Sequence, residues 1–156
     1  GEKTFQLLTQ SSGRSGREAK EGEVLIQTYN TENDVIQKTI NDDYEGYYEN
    51  EVGMRKLLNY PPYGRIINII MSSENEEGLR DKAEKLYDMI KEKNGFIPKP
   101  FKAPIYRINN RYRYQIFIKS DRISINDIKS KIKKALFNYK EKDVRISVDV
   151  DPINLL

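Results

Sequence analysis

The chain has 156 residues, 37% hydrophobic and 33% charged, with a formal net charge of +3 and neither cysteine nor histidine. That length suits about one domain with room for a second small unit, and the missing residue types exclude disulfide scaffolds, thiol nucleophiles, Cys/His zinc sites and imidazole acid/base chemistry. No apolar run approaches the roughly 20 residues of a membrane helix, which points away from a membrane protein. The charge is unevenly spread: residues 1–98 carry 13 Lys+Arg against 18 Asp+Glu, net −5, and residues 99–156 carry 14 against 6, net +8. A one-sided basic surface favours nucleic acid or another polyanion.

The chain opens with Gly1 and passes at once into helix-like sequence, as expected of a piece excised from a longer protein. Residues 3–12 read as a short helix with Phe5, Leu8 and Leu7 turned inward, closed by the Gly13-Arg14-Ser15-Gly16-Arg17 turn. Val24 to Tyr29 read as a strand entered through Gly22 and buried on both faces of a larger sheet. It lacks neighbours in this sequence, so residues 1–30 are expected to be the edge of a larger domain. Residues 42–58 read as a helix with Tyr44, Tyr47, Tyr48, Glu51, Met54 and Leu58 near one face, stopped by Tyr60-Pro61-Pro62-Tyr63-Gly64. At that spacing the tyrosines are expected to pack a linker helix onto a domain.

After the prolines the predicted order is definite. Arg65 to Met71 is a strand. Ser73-Glu74-Asn75-Glu76 reads as a capping box opening a helix whose inner face is Leu79, Ala83, Leu86 and Ile90, with a stop at Asn94-Gly95. A strand over Phe101–Ile108 turns at Asn109-Asn110 into a second strand. There Tyr112, Tyr114, Ile116 and Ile118 form the core face, and Arg111, Arg113, Gln115, Phe117 and Lys119 the exposed one. Ser124 caps a helix with Ile128, Ile132, Ala135, Leu136 and Tyr139 inward and Lys129, Lys131, Lys133 and Lys134 on its polar side. A last strand carries Val144, Ile146, Val148 and Val150. The order predicts an α+β (α/β) chain in which residues 64–156 form a ferredoxin-like βαββαβ domain.

The sharpest local signal is Gln10-Ser11-Ser12-Gly13-Arg14-Ser15-Gly16-Arg17, of the form Q-x-x-G-R-x-G-R. It resembles motif six of superfamily-two helicases, where a helix end and two glycines hold planar, always-charged guanidiniums that stabilise charge on a transferring γ-phosphoryl group. With Phe5 to Gln10, Gly22 to Thr28, Asp43-Tyr44, Tyr47-Tyr48-Glu49, Glu51, Arg55, Tyr60 to Tyr63 and Asp149-Val150-Asp151-Pro152, it resembles the PriA family of primosomal replication-restart helicases over essentially its whole length. Departures are Ser11, Ser12 and Ser15 in place of small apolar residues, Tyr63 where Phe is common, and Thr31-Glu32-Asn33 in place of a Pro-Glu-His-like stretch.

The resemblance implies three segments: 1–30, the end of the second motor lobe; 31–63, a helical linker; 64–156, the C-terminal domain. It implies a cytoplasmic, DNA-dependent ATPase of 3′ to 5′ polarity that binds forked and single-stranded DNA, the acidic tail of single-stranded DNA-binding protein, and primosome proteins. Arg14 and Arg17 would act as arginine fingers, and Gln10, Gly13 and Gly16 would join them at ATP and its magnesium in the intact protein. The phosphate-binding loop, the acidic metal motif and the zinc site of the family would lie upstream, so this chain alone is expected to bind no cofactor and hydrolyse no ATP. Lys99, Lys102, Arg107, Arg111, Arg113, Lys119 and Arg122 lie on two neighbouring predicted strands and their loops, where they would track phosphates or an acidic peptide.

Two other classes compete. The stretch Arg111-Tyr112-Arg113-Tyr114-Gln115-Ile116-Phe117 fits loosely a free-standing RNA-recognition module, which shares the element order and stacks bases on sheet aromatics. Its glycines are missing, and Tyr112 and Tyr114 share a face with Ile116 and Ile118. A ligand-sensing or purely structural domain needs no motif. The acidic pairs Asp42-Asp43, Glu76-Glu77 and Asp149/Asp151 read as solvated charges rather than metal ligands.

Overall fold

The break at residues 59–64 lies beside the point where the chain divides. The computed structural model describes residues 1–13, 23–91, 97–121 and 123–153, and it separates a first unit, Gly1–Leu57, from a second, Leu58–Leu156. It is a mixed α/β structure with five helices and one four-stranded antiparallel sheet among the described residues.

The first unit contains α1 (Glu2–Ser12), α2 (Asp34–Ile40) and α3 (Tyr44–Leu57). Phe5 is buried and stacks on Tyr47, with ring centroids 4.2 Å and planes 5° apart. Arg55 ties α3 to the start of α1 by binding Glu51 at 2.8 Å and Glu2 at 2.7 Å. Leu8 is half-buried and Leu7 exposed, so the inward stripe of α1 is narrower than expected. The same holds for α3: Tyr47 is buried, whereas Tyr44, Tyr48 and Met54 are more than half exposed.

One expectation fails in this unit. The strand over Val24–Tyr29 does not form: residues 23–28 join no ladder, and Leu25 is 96% exposed. A strand needs a neighbour for its N–H and C=O groups, and the described part of this unit offers only helices. The helix α2 falls inside the segment 31–63 expected as a helical linker, where the sequence reading gave it no bounds. It starts where the Asn33 side chain accepts the Val35 N–H at 3.1 Å, a cap in front of seven residues too few to show a period.

The second unit contains β1 (Arg65–Ser73), α4 (Leu79–Ile90), β2 (Phe101–Ile108), β3 (Arg111–Ser120), α5 (Ile125–Asn138) and β4 (Arg145–Val150). The strands stand in the order β2-β3-β1-β4. Register pairs Ile67 with Ile118, Ile69 with Ile116 and Met71 with Tyr114, which puts those side chains on one face. Leu79, Ala83, Leu86 and Ile90 of α4 and Ile125, Ile132 and Ala135 of α5 cover that face, and all are buried. Removing each large side chain of this set from water is worth about 1.5–3 kcal/mol. Asn109 and Asn110 take φ of 49° and 60°, the backbone of a two-residue hairpin turn whose twist matches the strands.

Local corrections follow from side-chain competition for the backbone. Ser73-Glu74-Asn75-Glu76 does not cap α4: Ser73 Oγ accepts from the Asn75 N–H and Asn75 Oδ1 from the Glu77 N–H, making turns. The helix starts after Gly78, whose φ of 74° suits glycine alone at low cost. It ends at Ile90; Asn94-Gly95 lie outside the described residues. Ser124 occupies the cap position of α5 without a side-chain bond, and the Asp121 carboxylate accepts the Ile123 and Ser124 N–H groups instead, at 3.0 and 2.7 Å. Those bonds hold the Asp121 carboxyl below its ordinary range, the Ser124 N–H foremost. Finally, Gln115 is 3% exposed rather than solvated.

Candidate functional site

Of the predicted site residues, Arg14, Gly16, Arg17 and Arg122 lie outside the described residues. Gln10 is exposed on α1, and Gly13 closes that helix with its N–H on the Thr9 carbonyl at 3.0 Å.

The strand cations are sorted by strand parity. Arg111, Arg113 and Lys119 alternate with the buried Tyr114, Ile116 and Ile118, so they lie on the sheet face away from α4 and α5. Lys102 pairs in register with Tyr114 and Arg107 with Tyr112, which puts both on the helix side. The cations thus flank both sides of the β2–β3 ribbon. Lys99 is exposed two residues before β2.

Three of these cations sit over tyrosine rings. Lys102 Nζ is 4.3 Å from the Tyr106 ring centroid, the Arg107 guanidinium 5.0 Å from that of Tyr112, and Lys119 Nζ 4.2 Å from that of Tyr60. The rings are themselves held. Tyr106 donates its hydroxyl to Glu76 at 2.9 Å and meets Tyr112 and Tyr114 at 5.5 and 5.9 Å between centroids. Partial burial and the Glu76 carboxylate push its phenol well above the ordinary value. Tyr60 lies 6.5 Å from Phe117. Glu76 also stands 4.0 Å from Lys102, at the limit of an ion pair. Arg107 further bonds Asn110, and Arg113 donates to the Ile105 carbonyl at 3.3 Å.

Arg111 is different. Its guanidinium bonds Glu74 at 2.9 Å and the Ser72 carbonyl at 2.8 Å, and its side chain is 14% exposed. It fastens the start of β3 to the end of β1 and carries a neutralised charge. Sequence reading found the cations but not Tyr60, Tyr106 and Tyr112 as their partners. The only signal for Tyr106 is its position one residue before Arg107, across a strand irregularity that sequence does not reveal.

One member of each acidic pair makes a structural contact, Glu76 with Tyr106 as above. Asp43 binds Lys38 at 2.6 Å and accepts the Gly46 N–H at 2.9 Å, with the Lys38 bond the main cause of its lowered pKa. Asp151 pairs with Arg65 and accepts the Ile66 N–H. Among the described residues no three Asp or Glu side chains converge as a metal site, and no helix is long and apolar enough to cross a membrane. A cavity of about 180 Å³ in the first unit, lined by Gly1, Thr4, Thr28, Asn30, Asn33, Val35 and Ile36, has no Lys, Arg, Asp or Glu in its wall.

Comparison with known proteins matches residues 56–153 to the family model of the primosomal protein N C-terminal domain. The chain is 40% identical over 162 aligned positions to the replication restart protein PriA of Bacillus subtilis, covering 99% of this chain and 20% of that protein. It is 35% identical to PriA of Synechocystis, covering 99% of this chain and 18% of that protein, and 31% identical to PriA of Thermotoga maritima, covering 86% and 18%. The chain spans about a fifth of the length of these relatives. It belongs to the PriA family of replication restart proteins, with the C-terminal domain of that family in residues 56–153.

Proposed function

We propose that this chain supplies the nucleic-acid and partner-binding end of a PriA-type 3′ to 5′ restart helicase. The observation that carries this reading is the set of cations held over tyrosines: Lys102, Arg107 and Lys119. A ring face fixes a cation in place without cancelling its charge, as a carboxylate would. Arg107 and Lys119 therefore keep their charge for phosphate oxygens, and Lys102 shares its own only with Glu76 at 4.0 Å; Lys99, Arg113 and Arg122 are further candidates of the same kind. The element order and the strand order support a ferredoxin-like arrangement for residues 64–156; the reading of 1–30 as a motor-lobe edge and of 31–63 as a helical linker rests on the family resemblance alone.

Forked and single-stranded DNA, the acidic tail of single-stranded DNA-binding protein and primosome proteins are the partners this surface would serve in the cytoplasm. Arg14 and Arg17, with Gln10, Gly13 and Gly16, would meet ATP and its magnesium only beside the rest of the motor. There the two guanidiniums would stabilise charge on the γ-phosphoryl group as it transfers.

Fluorescence anisotropy of this chain against labelled forked DNA, single-stranded RNA and an acidic tail peptide, each at two salt concentrations, tests the reading. Salt-sensitive binding of fork or tail is expected, and Lys102→Gln/Arg107→Gln should flatten the salt dependence. Binding to none of the three overturns it. In the full-length helicase, Arg17→Ala should abolish DNA-stimulated ATP turnover while leaving fork binding intact; retained turnover removes the arginine-finger role.

A further inference from the structure

The two helices of the second unit treat their cations differently. On α4, Arg80, Lys82 and Lys85 each meet a carboxylate, Glu84 at 3.0 Å, Asp143 at 2.6 Å and Glu141 at 2.6 Å. On α5, Lys129, Lys133 and Lys134 have no ion-pair partner among the described residues, and the helix contains one acidic residue, Asp127 in its first turn. Lys129 and Lys133 are four residues apart, so they stand one above the other and repel, which weakens the helix. The next residue along that row is Phe137, which is 79% exposed, with Lys140 Nζ 5.5 Å from its ring.

A row that lowers helix stability and ends in an exposed ring has no packing reason, because the core side of α5 is already supplied by Ile125, Ile132 and Ala135. Unneutralised cations in line with a largely exposed ring match a flexible polyanion that also offers rings. That combination belongs to single-stranded nucleic acid, where cations meet phosphates and the ring takes a base. An acidic peptide would use the lysines and leave Phe137 in water. A lipid surface needs a free apolar helix face, and here that face is buried.

We propose that the outer face of α5 is a second single-strand contact, separate from the β2–β3 ribbon, with Lys129, Lys133 and Lys134 on phosphates and Phe137 stacked on a base. The inference rests on the reading of this unit as a nucleic-acid binder. Anisotropy of labelled oligothymidylate across a salt series, with this chain and its variants, tests it. K133Q/K134Q should reduce the slope of log affinity against log salt by about 0.7 for each lysine removed. F137A should weaken binding about fivefold or more while duplex binding stays unchanged. All three positions are exposed, so folded variants are expected, and the α5 row is disjoint from Lys102 and Arg107. If the unsubstituted chain binds no nucleic acid, the wider reading fails and this inference with it. If it binds, K102Q/R107Q weakens it, and the α5 variants leave slope and affinity unchanged, the α5 contact alone is overturned. Loss of poly-glutamate binding in K133Q/K134Q with oligothymidylate binding intact also overturns it, in favour of an acidic-peptide surface.

Discussion

Gln115 on β3 donates its side-chain N–H to the Asn68 side-chain oxygen on β1 at 2.7 Å, and each residue is 3% exposed. In register Gln115 faces Ile70 and Asn68 faces Phe117, so the two amides are diagonal neighbours on the sheet face away from the helices. A slip of one residue would separate them and leave both unpaired, so the bond helps fix the central register. Gln115→Ala strands the Asn68 oxygen and should lower stability by about 1–3 kcal/mol in urea unfolding. Replacing both amides by leucine should restore much of that loss. An unchanged midpoint in Gln115→Ala would mean that the pair contributes nothing to stability.

Tyr139, just past α5, donates its hydroxyl to the Lys82 carbonyl of α4 at 3.0 Å. Burial, and then the Glu141 and Asp143 carboxylates, push its phenol up to about 12 from 10.0. Below pH 10 the phenol is protonated in folded and unfolded chains alike, and its contribution is complete. Above that the unfolded chain loses the proton first, so stability falls until the folded phenol ionises near 12. Tyr47 adds a loss of the same sign in the first unit, where burial again leads and the phenol is pushed up to about 12. Thermal melts of Tyr139→Phe should show a shallower alkaline decline for the second unit, at a cost near neutrality of about 1 kcal/mol for the lost bond. An equally steep decline would remove Tyr139 as a source.

On the acid side the sign reverses. Lys82 holds the Asp143 carboxyl below 3.8, chiefly through their hydrogen bond. That contribution is present above about 3.8 and is lost as pH falls through the lower folded value. Asp143→Asn should therefore flatten the acid limb of the stability profile, read by melts at low ionic strength, and added salt should shrink the difference because the pair is solvent-exposed.

Where physical signals are local, the sequence was readable. The spacing of Leu79, Ala83, Leu86 and Ile90 named the buried side of α4, and the bounds of β2 and the Asn109-Asn110 turn were legible because turn chemistry and period act within a few residues. Val24 to Tyr29 has the composition of a strand, but pairing is not a local property, and the segment stays unpaired. Parity placed Gln115 on the correct face without telling that Asn68 waits across the sheet. The cations of the candidate site were visible; the rings beneath them were not. A register irregularity between Lys102 and Arg107 and the turn ahead of β1 decide which tyrosine lies under which charge.

Tyr112 discriminates the remaining readings of the sheet. It is half-buried, packed against the helix-side core with its ring 5.5 Å from that of Tyr106, and it carries the Arg107 guanidinium on its face. A base-stacking platform would need that ring free, so an RNA-recognition module predicts that Tyr112→Ala abolishes single-strand RNA binding at unchanged stability. The packing here predicts the reverse order of effects. Tyr112→Ala should cost about 1–3 kcal/mol in unfolding, and should weaken fork binding by releasing Arg107 from its position. Tyr112→Phe keeps the ring and should keep both properties. Retained stability with lost RNA binding in Tyr112→Ala would make the ring a ligand contact, and the cation above it a neighbour rather than a charge that Tyr112 holds in place.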